Sequence, residues 1–216
     1  DGLARAPQGY EGGSEGCPAD DGLFASARQA DKDGATDIGF VFSSGWVLVK
    51  RGDCAAGLSL MQRTIETRRA TGAELSLSRL LTILAESQLH CGQPDAALAT
   101  AEAALAQVTA YGERAFAASA LQIQAEVLIR TGSGSFSDLP IDAGPDDLLL
   151  RAIDIARCQG AGLPELRAVV SLCRLWAAQG SGAEARGLLV QTLSRHRDNF
   201  HPSDRQRAHA LLKELT

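Results

Sequence analysis

Apolar residues recur at helical spacing through most of this chain, and the pattern is clearest between Glu74 and Tyr111. Leu77, Leu80, Leu81, Leu84 and Leu89 mark one stripe, and Ala97, Leu98, Ala101, Ala104, Leu105 and Val108 mark a second. Intervals of three and four place each set on one face of a helix. Gly92-Gln93-Pro94 separates the two. Gly92 supplies the left-handed residue that closes the first helix, and Pro94 suits the first turn of the next, where its missing N–H costs little. Neither helix can bury its own stripe, so the two are expected to pack as an antiparallel hairpin.

The hairpin repeats. Turn glycines stand at Gly52, Gly92, Gly132 and Gly180, spaced 40, 40 and 48 residues apart, and glycines between hairpins at Gly72, Gly112 and Gly160, spaced 40 and 48. Seven residues before each turn glycine comes a small residue: Gly45, Ala85, Ala125 and Cys173. Five residues after three of them come Gly57, Ala97 and Ala185. Small side chains at both places let paired helices approach to the short end of the usual range, about 8 Å between axes. Self-similarity at this period predicts an all-α fold, an α-solenoid of antiparallel helix hairpins wound as a right-handed superhelix.

The motifs carry a family resemblance. Leu81-x2-Leu84-Ala85-x2-Gln88 followed by Ala97, Ala101 and Ala104 resembles the tetratricopeptide repeat. Val169-x2-Leu172-Cys173-x2-Trp176 followed by Ala185, Leu189 and Thr192 fits it less strictly. The period exceeds the usual 34 or so residues of that repeat, and Gln88 stands where an aromatic is expected. Longer phrases, RATGAELSLSRLLTILAESQLHCGQPDAAL among them, look like the C-terminal repeats of bacterial multidomain signalling proteins, in which an adenylate or guanylate cyclase or another effector precedes an ATPase module. The resemblance runs from about Gly39 to Leu215. It implies a regulatory or scaffolding segment that works by binding protein, with the catalytic parts elsewhere.

Residues 1–37, rich in Gly, Pro and acidic side chains, have little to bury and are expected to be mostly disordered or a worn earlier helix. Residues 38–201 are expected to form four hairpins with a loop insertion at 133–145, and residues 202–216 a capping helix. The insertion, TGSGSFSDLPIDAGP with its flanks, absorbs the 8-residue slip in period and is a candidate contact site. Gly39 to Lys50 leaves almost no polar face, and its β-branched run admits a buried strand as the alternative; Gly45 and Gly52 in repeat register favour the helix. Pro164 is expected to open the first helix of the last hairpin, and Ser203 with Gln206 to form a capping box for the final helix. The chain begins at Asp1 and its one methionine is Met61, so it reads as a fragment or processed product.

The net charge of −5 is ordinary, and no basic patch of the size nucleic acid needs is present. No apolar run approaches the roughly 20 residues of a membrane span, and no signal peptide is evident. Cys17, Cys54, Cys91, Cys158 and Cys173 make an odd number without short repeated spacing, which argues against a disulfide framework and for a reducing, cytoplasmic setting.

Candidate chemistry is sparse. His90-Cys91 is adjacent, but helical neighbours point about 100° apart, so an exposed His beside a small packing Cys is favoured over zinc. His196, His201 and His209 straddle Pro202 rather than sharing a helical face, and Gly132-x-Gly134 lacks the Lys-Ser/Thr of a phosphate loop. No catalytic set, cofactor site or metal site is expected, and the chain reads as no enzyme. The repeat itself gives the functional signal. If Ala85, Ala125 and Cys173 are the close-packing positions, residues six and three before and one and five after them line a concave face. These are Arg79, Thr82, Glu86 and His90; Ser119, Gln122, Glu126 and Arg130; and Arg167, Val170, Arg174 and Ala178. Such a mixed polar surface suits an extended peptide, a helix of a partner protein, or another domain of the same parent. A small-molecule sensor is the alternative, and a closed apolar cavity would distinguish it.

Overall fold

The computed structural model describes residues 38–72, 76–132, 144–196, 200 and 202–215. Among them all regular structure is helical. In chain order the helices are α1 (Ile38–Lys50), α2 (Cys54–Ala70), α3 (Leu77–His90), α4 (Pro94–Tyr111), α5 (Ala117–Thr131), α6 (Pro145–Cys158), α7 (Gly162–Ala178), α8 (Gly182–Arg195) and α9 (Pro202–Glu214). A 3-10 turn, Arg114–Phe116, leads into α5. The strand alternative for Gly39 to Lys50 therefore fails, because its small residue packs against a helix rather than a ladder.

Each helix packs on the next, and odd-numbered helices also touch one another in the order α1, α3, α5, α7, α9. No comparable contact joins even to even among the described residues. The odd helices thus form an inner layer and the even ones an outer layer, which is an α-solenoid. The glycines that set the sequence period are the glycines with positive φ: Gly52, Gly72, Gly92, Gly112, Gly132, Gly160 and Gly180. At Gly92, φ is 73°, and the N–H of Gln93 reaches back to Gln88 O at 2.9 Å, so the reversal also satisfies an otherwise orphaned carbonyl.

Small residues sit at the helix crossings. Ala85 and Ala97 have no exposed surface and share one apolar cluster with Leu89, Ala101, Ile123 and Val127. The Cys173 thiol donates to Ala185 O at 3.1 Å, and burial pushes its pKa up to about 12, so it is a packing group rather than a nucleophile. At the first crossing a Cβ on Gly57 would lie 2.5 Å from Gly45 O and 2.9 Å from Val49 N, and backbone cannot step aside. Gly57→Ala should therefore destabilise the chain by about 1–3 kcal/mol, as overpacking does. An unshifted urea midpoint would show that α1 and α2 are not in close contact.

Three local expectations need correction. Gly162 opens α7, so Pro164 lies inside its first turn, where proline remains compatible because the N–H has no helical acceptor. Pro202 begins α9, so Ser203 sits within the first turn and not at the cap. Cys54 and Cys91 are joined in a disulfide. The two lie 37 residues apart, a spacing that looks unrelated in sequence. In a solenoid with a period of 40, however, it brings one hairpin turn against the next. The insertion expected at 133–145 lies mostly outside the described residues, and residues 1–37 lie wholly outside them.

Candidate functional site

The inner layer encloses an open concavity of about 660 Å³. It gathers Thr82, Glu86 and His90 from α3, Ser119, Gln122, Glu126 and Arg130 from α5, and Arg167, Val170 and Arg174 from α7. Arg79 is exposed outside this lining, and Ala178 is also absent from it. The repeat register brings these side chains together because equivalent positions on parallel inner helices point the same way.

Three elements contribute polar residues that the register argument left out. Lys50 comes from α1, five residues after Gly45, so the same rule extended to the first hairpin finds it. Ser171 flanks Cys173 on α7, and Asp204 and Arg207 come from α9, which extends the inner layer by one helix. Nothing in the spacing marks α9 as an inner helix, since no second helix of a hairpin follows it among the described residues.

Hydrogen bonds fix the floor of the groove. Glu126 Oε1 accepts from Gln122 Nε2 at 3.0 Å and from Ser171 Oγ at 2.8 Å, joining α5 to α7. Arg130 Nη1 donates to Leu89 O at 3.0 Å, joining α5 to α3. Arg167 Nε lies 3.0 Å from Asp204 Oδ1, and its Nη1 is 3.9 Å from Glu86 Oε2. Burial works against the Arg167 charge, but the hydrogen bond and charge of Asp204, with Glu86 and Glu126, raise its pKa and keep it a cation. Lys50 Nζ is 3.6 Å from Glu86 and 5.5 Å from the centre of the Trp46 ring. Burial first, then the charges of Lys50 and Arg130, lower the pKa of His90, so it stands neutral at pH 7.

The charge balance is uneven. Lys50, Arg130, Arg167, Arg174 and Arg207 face Glu86, Glu126 and Asp204, an excess of positive charge inside a chain whose formal charge is −5. Among the described residues, Arg174 and Arg207 make no hydrogen bond or ion pair, so they are the cations available to a partner.

A second polar cluster lies behind the groove. Glu165, on the first turn of α7 and 1% exposed, receives Arg157 Nε at 2.8 Å, Arg195 Nη1 at 2.5 Å and His196 Nε2 at 2.7 Å. Burial pushes its pKa up, but hydrogen bonds from Arg157 and His196 and the charges of Arg195 and Arg157 outweigh that and hold it below the ordinary carboxylate value. It ties α6, α7 and the end of α8 together. His196 is thereby committed to Glu165 and not to a histidine group with His201 and His209, of which His201 lies outside the described residues. Cys91 is committed to Cys54. Among the described residues no group of His, Cys, Asp and Glu could hold a metal ion, and no helix is long and apolar enough to cross a membrane.

No protein-family model matches the chain, and no curated protein is similar enough to match. Solved structures do match. A putative kinesin light chain of Podosopora anserina with nearly identical TPR-like repeats is 18% identical, with 91% of this chain and 93% of that one covered and a TM-score of 0.50. A variant of the same protein aligns with the same identity and TM-score over 92% of its length. At this identity the likeness concerns the fold, which defines the protein as a TPR-like helical repeat solenoid.

Proposed function

We propose that this chain is a protein-binding module whose inner groove holds an extended, acidic peptide segment, either of a partner or of another domain of its parent protein. The observation that carries this is the pair Arg174 and Arg207, uncompensated in a groove already richer in cations than in carboxylates. An open groove with fixed donors suits a peptide read by its side chains, whereas a small molecule is ordinarily enclosed on most sides. That difference is why the ligand-sensor reading is the weaker one. The resemblance of its repeats to those of bacterial cyclase and ATPase signalling proteins supports a regulatory or scaffolding role within a larger protein. Non-catalytic work fits the same picture, since the groove's carboxylates, Glu86, Glu126 and Asp204, are occupied in holding helices together.

The test uses fluorescent Glu- and Asp-rich peptides with Lys-rich peptides of equal length as controls, followed by polarisation at two salt concentrations. Acidic peptides should bind and weaken as salt rises. Arg174→Glu with Arg207→Glu should lower their affinity by about tenfold or more while helical circular dichroism is unchanged, two rim charges each altering binding by roughly 1 kcal/mol. Equal binding of acidic and basic peptides, or no response to the double variant, would reject the groove as the acidic-peptide site.

A further inference from the structure

We propose that the Cys54–Cys91 pair is a thiol–disulfide exchange site that sets how firmly the α1–α2 hairpin is held against the rest of the solenoid. The part of this proposal that concerns binding rests on the groove reading above. Cys54 is the first residue of α2, and Cys91 is the residue that ends α3, so the bond fastens one hairpin turn to the next. Neither residue is fully buried, and reaction with a small thiol requires that access.

This joint differs from the later ones. The residue before each following turn glycine is Thr131 or Gln179, neither able to form such a bond. Farther along, adjacent inner helices are tied near the groove by Arg130 to Leu89 O and by Ser171 to Glu126. Between α1 and α3 the corresponding polar tie is Lys50–Glu86, at 3.6 Å with both side chains about a third or more exposed. An exposed pair of that kind contributes little in water. The disulfide is therefore the one covalent link at this rim, added to the apolar cluster that Phe42, Val49, Leu58, Met61 and Ile65 form with Leu77, Leu80, Leu81 and Leu84. It also sits beside the groove, since Lys50 precedes the Cys54 turn and His90 adjoins Cys91.

The chemistry balances as ordinary exchange. A reducing dithiol attacks one sulfur as its thiolate and forms a mixed disulfide. Its second thiol then displaces the remaining cysteine, leaving Cys54 and Cys91 as thiols and the reductant as its own disulfide. Two electrons and two protons pass to the protein. The apolar contacts remain, so the reduced chain stays folded while its first hairpin moves more freely and Lys50 is less well held over the groove.

Hydrogen exchange on the whole chain tests this, comparing the oxidised protein, the protein reduced with dithiothreitol and alkylated, and Cys54→Ser with Cys91→Ser. Amides near the end of α1 and the start of α2 should exchange about tenfold faster in both the reduced protein and the double variant, with α7 and α8 unchanged. Acidic-peptide affinity should fall severalfold in the same samples. Equal exchange in all three, or free alkylation of Cys54 and Cys91 without reductant, would overturn the proposal. Faster exchange with no peptide bound in any sample supports the exchange site and counts against the groove reading alone.

Discussion

Glu165→Ala is expected to cost about 3 kcal/mol of stability, the low end of what removing one member of a buried ionic group costs. The low end applies because Arg157 and Arg195 are 34% and 40% exposed at their side chains and can turn toward water once the carboxylate is gone. Glu165 itself cannot. The loss should concentrate at α6, α7 and α8, because a solenoid's stability is roughly a sum of local units and their interfaces. Urea unfolding followed by circular dichroism measures the total, and a shift smaller than about 0.5 kcal/mol would show that the cluster holds nothing together.

The same residue predicts a pH dependence with a definite sign. Its folded pKa lies below the ordinary value, so the unfolded chain takes up the proton first as acid is added. Its stabilisation is therefore fully present above the ordinary carboxylate pKa and is lost as the pH falls through the folded value. Glu165→Gln should flatten this acid limb relative to the parent. Parallel stability curves for the two proteins down through that range would contradict the assignment.

Ala85→Arg should have the largest effect of any single change considered, more than about 4 kcal/mol, enough to unfold the α3–α4 hairpin in a protein of ordinary stability. Ala85 has no exposed surface, and the facing Ala97 has none either. An arginine there overfills the crossing, and its guanidinium loses water without gaining a carboxylate. Ala85→Ser, nearly the same size, serves as the control and should cost only about 1 kcal/mol, from a hydroxyl that can bond back to the preceding turn. If the arginine variant melts with the parent, α3 and α4 do not cross at that residue.

Much of the fold was legible because its signals are local and repeated. Gly92 or Gly132 reports a left-handed turn through its own backbone needs, and Ala85 or Cys173 reports a helix crossing through its own size. The inner face was legible for the same reason, since register alone aligns Glu86 with Glu126 and Arg130 with His90. Its limits were equally physical. Arg79 satisfied the register but falls outside the concavity. Asp204 and Arg207 entered from a helix that the pattern marked only as a cap on the array.

The sequence by itself determined the helices, their turns, the close crossings and most of the groove's polar lining, because each follows from the periodicity of neighbouring residues. Only the tertiary structure decided that Cys54 meets Cys91, that Glu165 draws Arg157, Arg195 and His196 around it, and that α9 closes the groove with Asp204 and Arg207. Those pairings depend on how successive helices stack in space, and separations from 8 to 37 residues along the chain carry no mark of it.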